Sequence, residues 1–156
     1  MSPLVDFVAR TLQTAAPATA ATTAAVAACG SLENESGAAP INAVSHIAWG
    51  DEAAKHDELS AKYTLTGAAL NAGAITSWAA VYELGFGQAA RRGNVSRAIL
   101  GGVATAAAAY VVDYYVVPRR LTPGFEKRLS SPSMFAAYAA LAASLPIASL
   151  LRAKRR

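Results

Sequence analysis

Apolar and small residues run along the chain in four long stretches, and most of the charges gather in the short segments between them. Residues 11–32, 63–84, 97–117 and 129–151 each come close to the roughly 20 residues that carry a helix across about 30 Å of hydrocarbon. The pattern predicts an all-α protein, an integral membrane four-helix bundle in a single domain, with a polar cap at 33–62 between the first two helices. The first run is the least apolar, because Thr11, Thr14, Thr19, Thr22 and Thr23 dilute it, and Pro17 predicts a kink. Ahead of it, Ser2 can cap and Pro3 suits a first helical position, so a helical start at the interface is expected.

Within the cap, the period changes. Asn42, Ser45, His46 and Trp49 fall at i, i+3, i+4 and i+7, while Ile41, Val44 and Ala48 share another face, which predicts a short two-faced helix. Pro40 opens it and Gly50 closes it, and Asp51 can cap a second short helix running toward Lys62.

Composition strengthens the membrane reading. Hydrophobic residues make up 54% of the 156 and charged residues only 15%, an unusual balance for a soluble domain. The net charge of +4 does not point to nucleic acid, because the arginines flank apolar runs and form no stripe on one amphipathic face. A single cysteine, Cys29, excludes an internal disulfide and a CxxC pair. Val26-Ala27-Ala28-Cys29 offers a second reading of the first run, a lipoprotein cleavage box, against which the leucine-poor preceding region weighs. A retained first helix is the expectation.

Orientation follows from lysine and arginine near the span ends. Arg91, Arg92 and Arg97 lie between the second and third runs, and Arg152, Lys154, Arg155 and Arg156 follow the fourth, which places both termini in the cytoplasm. The cap, rich in Glu33, Glu35, Asp51, Glu52, Asp57 and Glu58, then faces outside. One segment conflicts with that rule: 118–128 carries Arg119, Arg120, Lys127 and Arg128. Pairing of this basic connection with the acidic cap on the same face would reconcile the two. Ordinary solvated flanking charges are the plainer account.

Small residues recur at spacings of about four in the second run (Gly67, Ala68, Ala69, Ala72, Gly73) and the third (Gly101, Gly102, Ala104 to Ala109), so these two helices are expected to pack closely. Ionisable groups inside spans are costly unless paired or wet, and so point to function. Glu83 reads as an interfacial, structural residue close to Arg91 and Arg92. Asp113 lies about 7 Å below the end of its helix by helical rise and needs a partner. Asn71 is a second buried polar group in want of a hydrogen bond.

Candidate chemistry concentrates at the cap. His46 can turn toward Asp113, which with Asn42, Trp49 and Asn71 makes a candidate ligand site. His46, His56, Asp51 and Glu52 make a weaker candidate metal set, since two histidines ten positions apart can share a metal ion or a haem. The plainer alternative is a hydrogen-bonded His46 and a solvated His56. Glu-x-x-His pairs, HExxH, a phosphate loop and a nucleophile elbow are all missing, and Gly85-Phe86-Gly87 follows an apolar helix and lacks a third glycine. No catalytic set emerges.

The segment Ile-Asn-Ala-Val-Ser-His-Ile-Ala-Trp-Gly-Asp-Glu-Ala at 41–53, then Tyr63-Thr64-Leu65 and Leu121-Thr122-Pro123-Gly124-Phe125-Glu126, resembles small uncharacterised bacterial inner-membrane proteins. The resemblance implies an inner-membrane location and transfers no activity or ligand residue. Two function classes follow. One is a non-enzymatic accessory subunit or scaffold, partnered by the lipid bilayer and by another membrane protein or further copies of itself. The other is haem, metal or quinone-type ligand binding under the 40–57 loop, in redox or small-solute transport.

Overall fold

In the computed structural model, which describes residues 2–154, the chain is all-helical, and no strand occurs among the described residues. Helix α1 spans Pro3–Asn34, and its start is as the sequence suggests: Ser2 Oγ accepts the Val5 N–H at 3.3 Å and proline occupies the first turn. The helix continues through Pro17 as one element and ends at Glu35, whose φ of 56° is left-handed.

The first predicted cap helix divides at Ser45 into α2 (Ala39–Val44) and α3 (His46–Trp49), and Gly50 at φ 76° ends it. The second is shorter than expected, a 3₁₀ turn over Asp51–Lys55 that does not reach Lys62. Helix α4 (Tyr63–Tyr82) passes into a π-helical turn, Glu83–Gly87, and then α5 (Gln88–Arg91). Helix α6 (Val95–Val111), capped by Asn94, likewise ends in a π turn, Val112–Val116. The last run is two helices, α7 (Ser131–Ser144) and α8 (Ile147–Ala153), separated around Pro146, whose missing N–H cannot continue the ladder.

Among the described residues, three helical stretches are long and apolar enough to cross a membrane: Pro3–Asn34, Val95–Val116 and Ser131–Ala153. The expected span at 63–84 is not one of them. Its α4 has 20 residues, but Thr64, Thr66, Asn71, Thr76 and Ser77 lower its apolar character. The run that looked least apolar thus qualifies and α4 does not.

Helix α1 packs along both α4 and α7, α6 packs on α7, and α2 lies on α4. One core cluster joins Ala18, Ile75, Tyr82, Ala109 and Leu145 across α1, α4, α6 and the α7–α8 break. A second, formed by Val26, Val44, Phe125, Leu129 and Ala137, sits under the cap. The glycines do not all serve one seam between the second and third long helices: Gly101 meets Phe86 in the π turn after α4, but Gly67 and Gly102 face other elements. A Cβ on Gly67 would overlap the Ile41 carbonyl of α2, and one on Gly102 would overlap the Ala142 carbonyl of α7 and lie 3.3 Å from Pro146 Cδ. Small residues were therefore needed for the cap and for α7. Gly102→Ala is expected to destabilise the protein by about 1–3 kcal/mol through forced separation of α6 and α7. Gly73→Ala, which meets nothing within 4 Å, serves as the control. Thermal unfolding in detergent compares them, and equal melting of the two variants would refute the close-approach account.

The basic connection and the acidic cap meet on one face. Arg128 donates through Nε to Asn34 Oδ1 at 2.9 Å, through Nη1 to the Ala54 carbonyl at 2.7 Å, and through Nη2 to Asp57. Asn34 returns a bond from its amide to the Arg128 carbonyl at 2.7 Å. Lys127 pairs with Asp51, and Glu33 accepts the Ser130 N–H at 2.7 Å. Lys127 holds the Asp51 carboxyl below its ordinary range, chiefly by that hydrogen bond.

Candidate functional site

Asn42 and Trp49 hold the cap in place. Asn42 is fully buried; its amide N–H₂ donates to the carbonyls of His56 and Glu58, both at 2.9 Å, and its Oδ1 accepts from Thr64 Oγ1 at 2.6 Å. With its donors and its acceptor so engaged, Asn42 fastens the cap to the first turn of α4. Trp49 is half-exposed, donates its indole N–H to Thr66 Oγ1 at 3.2 Å, and carries the Lys62 ammonium 5.1 Å from its ring centroid. Neither side chain offers a free polar group to a ligand.

His46 is 3% exposed, and its Nδ1 lies 2.9 Å from the Ala43 carbonyl. An acceptor there makes Nδ1 the donor, so in the neutral ring Nε2 is the acceptor, and it is buried without a partner. The ring lines a cavity of about 450 Å³ together with Gly50, Asp51, Arg119, Arg120 and Lys127. Gly124, at φ 85°, brings the 118–128 connection onto the ring: a Cβ there would lie 2.8 Å from His46 Nδ1 and 2.6 Å from the Ala43 carbonyl oxygen.

Asp113 is paired elsewhere. It stands in the π turn after α6 and accepts the Tyr138 hydroxyl at 2.7 Å. The predicted His46–Asp113 pairing is therefore corrected: His46 bonds to Ala43, and tyrosine, not histidine, meets the carboxylate. A tyrosine in an apolar run favours an acceptor for its hydroxyl, which makes the tyrosines of the runs, Tyr138 among them, candidates to meet Asp113. Asn71 reaches Thr23 Oγ1 at 3.4 Å, a weak bond.

Of the five ligand candidates, Asn71 and Asp113 are the two that share a cavity. It measures about 90 Å³ and is also lined by Trp78, Tyr138 and, from the cap side, Val44 and Phe125. That is well below the roughly 300–1,000 Å³ of pockets for organic ligands and suits a few waters. The larger cavity beside His46 is walled by charged side chains, where a haem or quinone ring would need apolar walls. The metal set also separates. Among the described residues no three His, Cys, Asp or Glu side chains converge, because Asp51 is on Lys127, Glu52 on Lys55 at 2.9 Å, and His56 on Glu58 at 2.8 Å with its ring stacked on Tyr63. Charge pairing within the cap and with the 118–128 connection engages the carboxylates that a metal would use.

At the opposite end, the nearness of Glu83 to Arg91 was legible in the sequence, but its burial and its partners Thr14 and Ser149 were not. Glu83, read as interfacial, is 5% exposed and accepts hydrogen bonds from Thr14 Oγ1 at 2.7 Å, from Ser149 Oγ at 3.3 Å and from Arg91. One carboxylate thus ties α1, α5 and α8 together at the end of α4. The π turn places it there, and a Cβ on Gly87 would collide with it. Glu83 and Asp113, which follow α4 and α6, both occupy π turns, a local geometry frequent at functional sites.

The class defined so far is an all-helical protein with three helices able to cross a membrane. Comparison with protein-family models, with curated proteins and with solved structures finds no match for the chain.

Proposed function

We propose that this is a multi-pass protein of a bacterial inner membrane, a four-span bundle with both termini in the cytoplasm, which acts as a non-enzymatic accessory subunit or scaffold of a membrane complex. The observation that carries the reading is an apolar groove of about 880 Å³ between α6 and α7, lined by Ile99, Val103 and Phe135 on its rim and by Ala106, Ala139 and Ala142 among its other residues. Val103 and Phe135 are exposed, and alanines along the groove let a second helix backbone come close. Its occupant is taken to be a transmembrane helix of a partner protein.

Two features support four spans and this orientation. Polar groups of α4 are satisfied locally or across helices: Thr76 and Ser77 bond back to the carbonyls of Ala72 and Gly73, and Thr64 bonds to Asn42, which lowers their cost in lipid. Charge is also segregated. Arg10, Arg91, Arg92, Arg97, Arg152 and Lys154 belong to the end away from the cap, whereas Lys127 and Arg128 are neutralised by Asp51 and Asp57. With two of its four basic residues paired, the connection opposes an outside cap less strongly.

Photo-crosslinkers at Val103 and Phe135, with one at Leu65 on exposed α4 as control, test the function in native membranes. The expected result is a single protein adduct of defined mass from the groove positions and none from Leu65. Lipid adducts alone would end the subunit reading, and an adduct of twice the chain mass would replace it with self-assembly.

A further inference from the structure

Three arginines from three helices meet at the end away from the cap. Arg10 of α1, Arg91 of α5 and Arg152 of α8 line a cavity of about 230 Å³ together with Ala153, and among the described residues no carboxylate lines it. Arg91 is neutralised by Glu83 on one side, and Arg152 donates to the uncharged amide oxygen of Gln13. Arg10 makes no ion pair among the described residues, and its Nε is buried without a partner. Like charges held this close repel, so an anion between them relieves the repulsion and offers acceptors to the guanidinium donors.

A second cavity adjoins this one. Ala153 is common to both, and the neighbour, about 380 Å³, is lined by Gly93, Val95, Ile147, Leu150 and Leu151, with Lys154 as its one charged residue. A ligand that fills the pair has an anionic head and an apolar chain.

We propose that the two cavities form a binding site for an anionic phospholipid, with the phosphate among Arg10, Arg91 and Arg152 and an acyl chain against Val95, Ile147, Leu150 and Leu151. The inference rests on the reading of the protein as membrane-spanning. Guanidinium groups suit phosphate because their forked donors bind it in pairs, and the end of a bundle with excess positive charge lies where headgroup phosphates are.

The test is native mass spectrometry of the full chain in detergent with equal amounts of phosphatidylglycerol and phosphatidylcholine. Wild type is expected to retain phosphatidylglycerol preferentially, one per chain. Arg10→Gln, which breaks no ion pair among the described residues, should lower that preference about fivefold. Arg152→Gln is the second variant, Arg91 being kept because it holds Glu83, and circular dichroism checks the helical content of each. Arg119→Gln, at the cap, should change nothing. Equal retention of the two lipids, or retention unaltered in both folded variants, overturns the site. Binding of inorganic phosphate abolished by Arg10→Gln, without any preference between the lipids, overturns the lipid assignment in favour of a free anion. Release of the chain from membranes by alkaline carbonate without detergent would instead defeat the membrane reading itself.

Discussion

Replacing Arg91 with alanine is expected to cost the folded protein about 3 kcal/mol, the lower end of the loss when one partner of a buried ion pair is removed, because the Arg91 side chain is itself 30% exposed. The Glu83 side chain is 1% exposed and Arg91 is the one cation bonded to it among the described residues. Thr14 and Ser149 would still donate to the carboxylate, but neutral hydroxyls cannot offset its charge. The damage should therefore come from the stranded carboxylate more than from a lost contact. The double variant Arg91→Ala with Glu83→Gln should recover most of the stability, because the neutral amide oxygen still accepts from Thr14. Denaturant unfolding in detergent checks both, and a single variant within about 1 kcal/mol of wild type would contradict the buried pair.

The second large effect is expected at Arg128. Its side chain is 17% exposed and fastens the end of α1, the 3₁₀ turn of the cap and the residues just before α4, through Asn34, Ala54 and Asp57. Arg128→Ala should cost about 3 kcal/mol, the upper range for hydrogen bonds that involve a charged group. Loss should be concentrated in residues 33–62, because the helices below have their own apolar core. Arg128→Lys should recover less than half, since one ammonium cannot address three acceptors arranged around a planar fork. Hydrogen exchange at peptide resolution reads this directly. Cap protection unchanged in the alanine variant would show that the seam is decorative.

Much of the cap was legible in the sequence because its signals are local. The i, i+3, i+4, i+7 pattern from Asn42 to Trp49, Pro40 ahead of it and Gly50 after it mark the helical stretch that the structure divides into α2 and α3, and the opposed charges of the cap and of 118–128 suggested the seam. Helix starts at Ser2 and the helical runs around α6 and α7 followed from the same kind of local reading. Roles of the buried polar residues were not legible in this way. His46 was matched to Asp113 because both were unusual residues near one end, yet Asp113 is met by Tyr138, 25 residues further on. Glu83 looked interfacial beside Arg91 and Arg92, yet Thr14 and Ser149, 69 and 66 residues away, close over it. Such pairings depend on the rotation and axial offset of each helix, and one residue of offset turns a side chain by about 100°.

The sequence by itself determined that the chain is helical, where its apolar runs and polar cap fall, and which regions carry opposite charge. These properties sum over many neighbouring residues, so no single contact is needed to decide them. Tertiary structure alone decided what each special residue does. It gave Gly67 to the cap and Gly102 to α7, Tyr138 to Asp113, and three arginines to one cavity. The physical reason is that close approach, pairing and like-charge crowding are set by distances between elements, which helix-to-helix packing fixes and the order of residues along the chain leaves open.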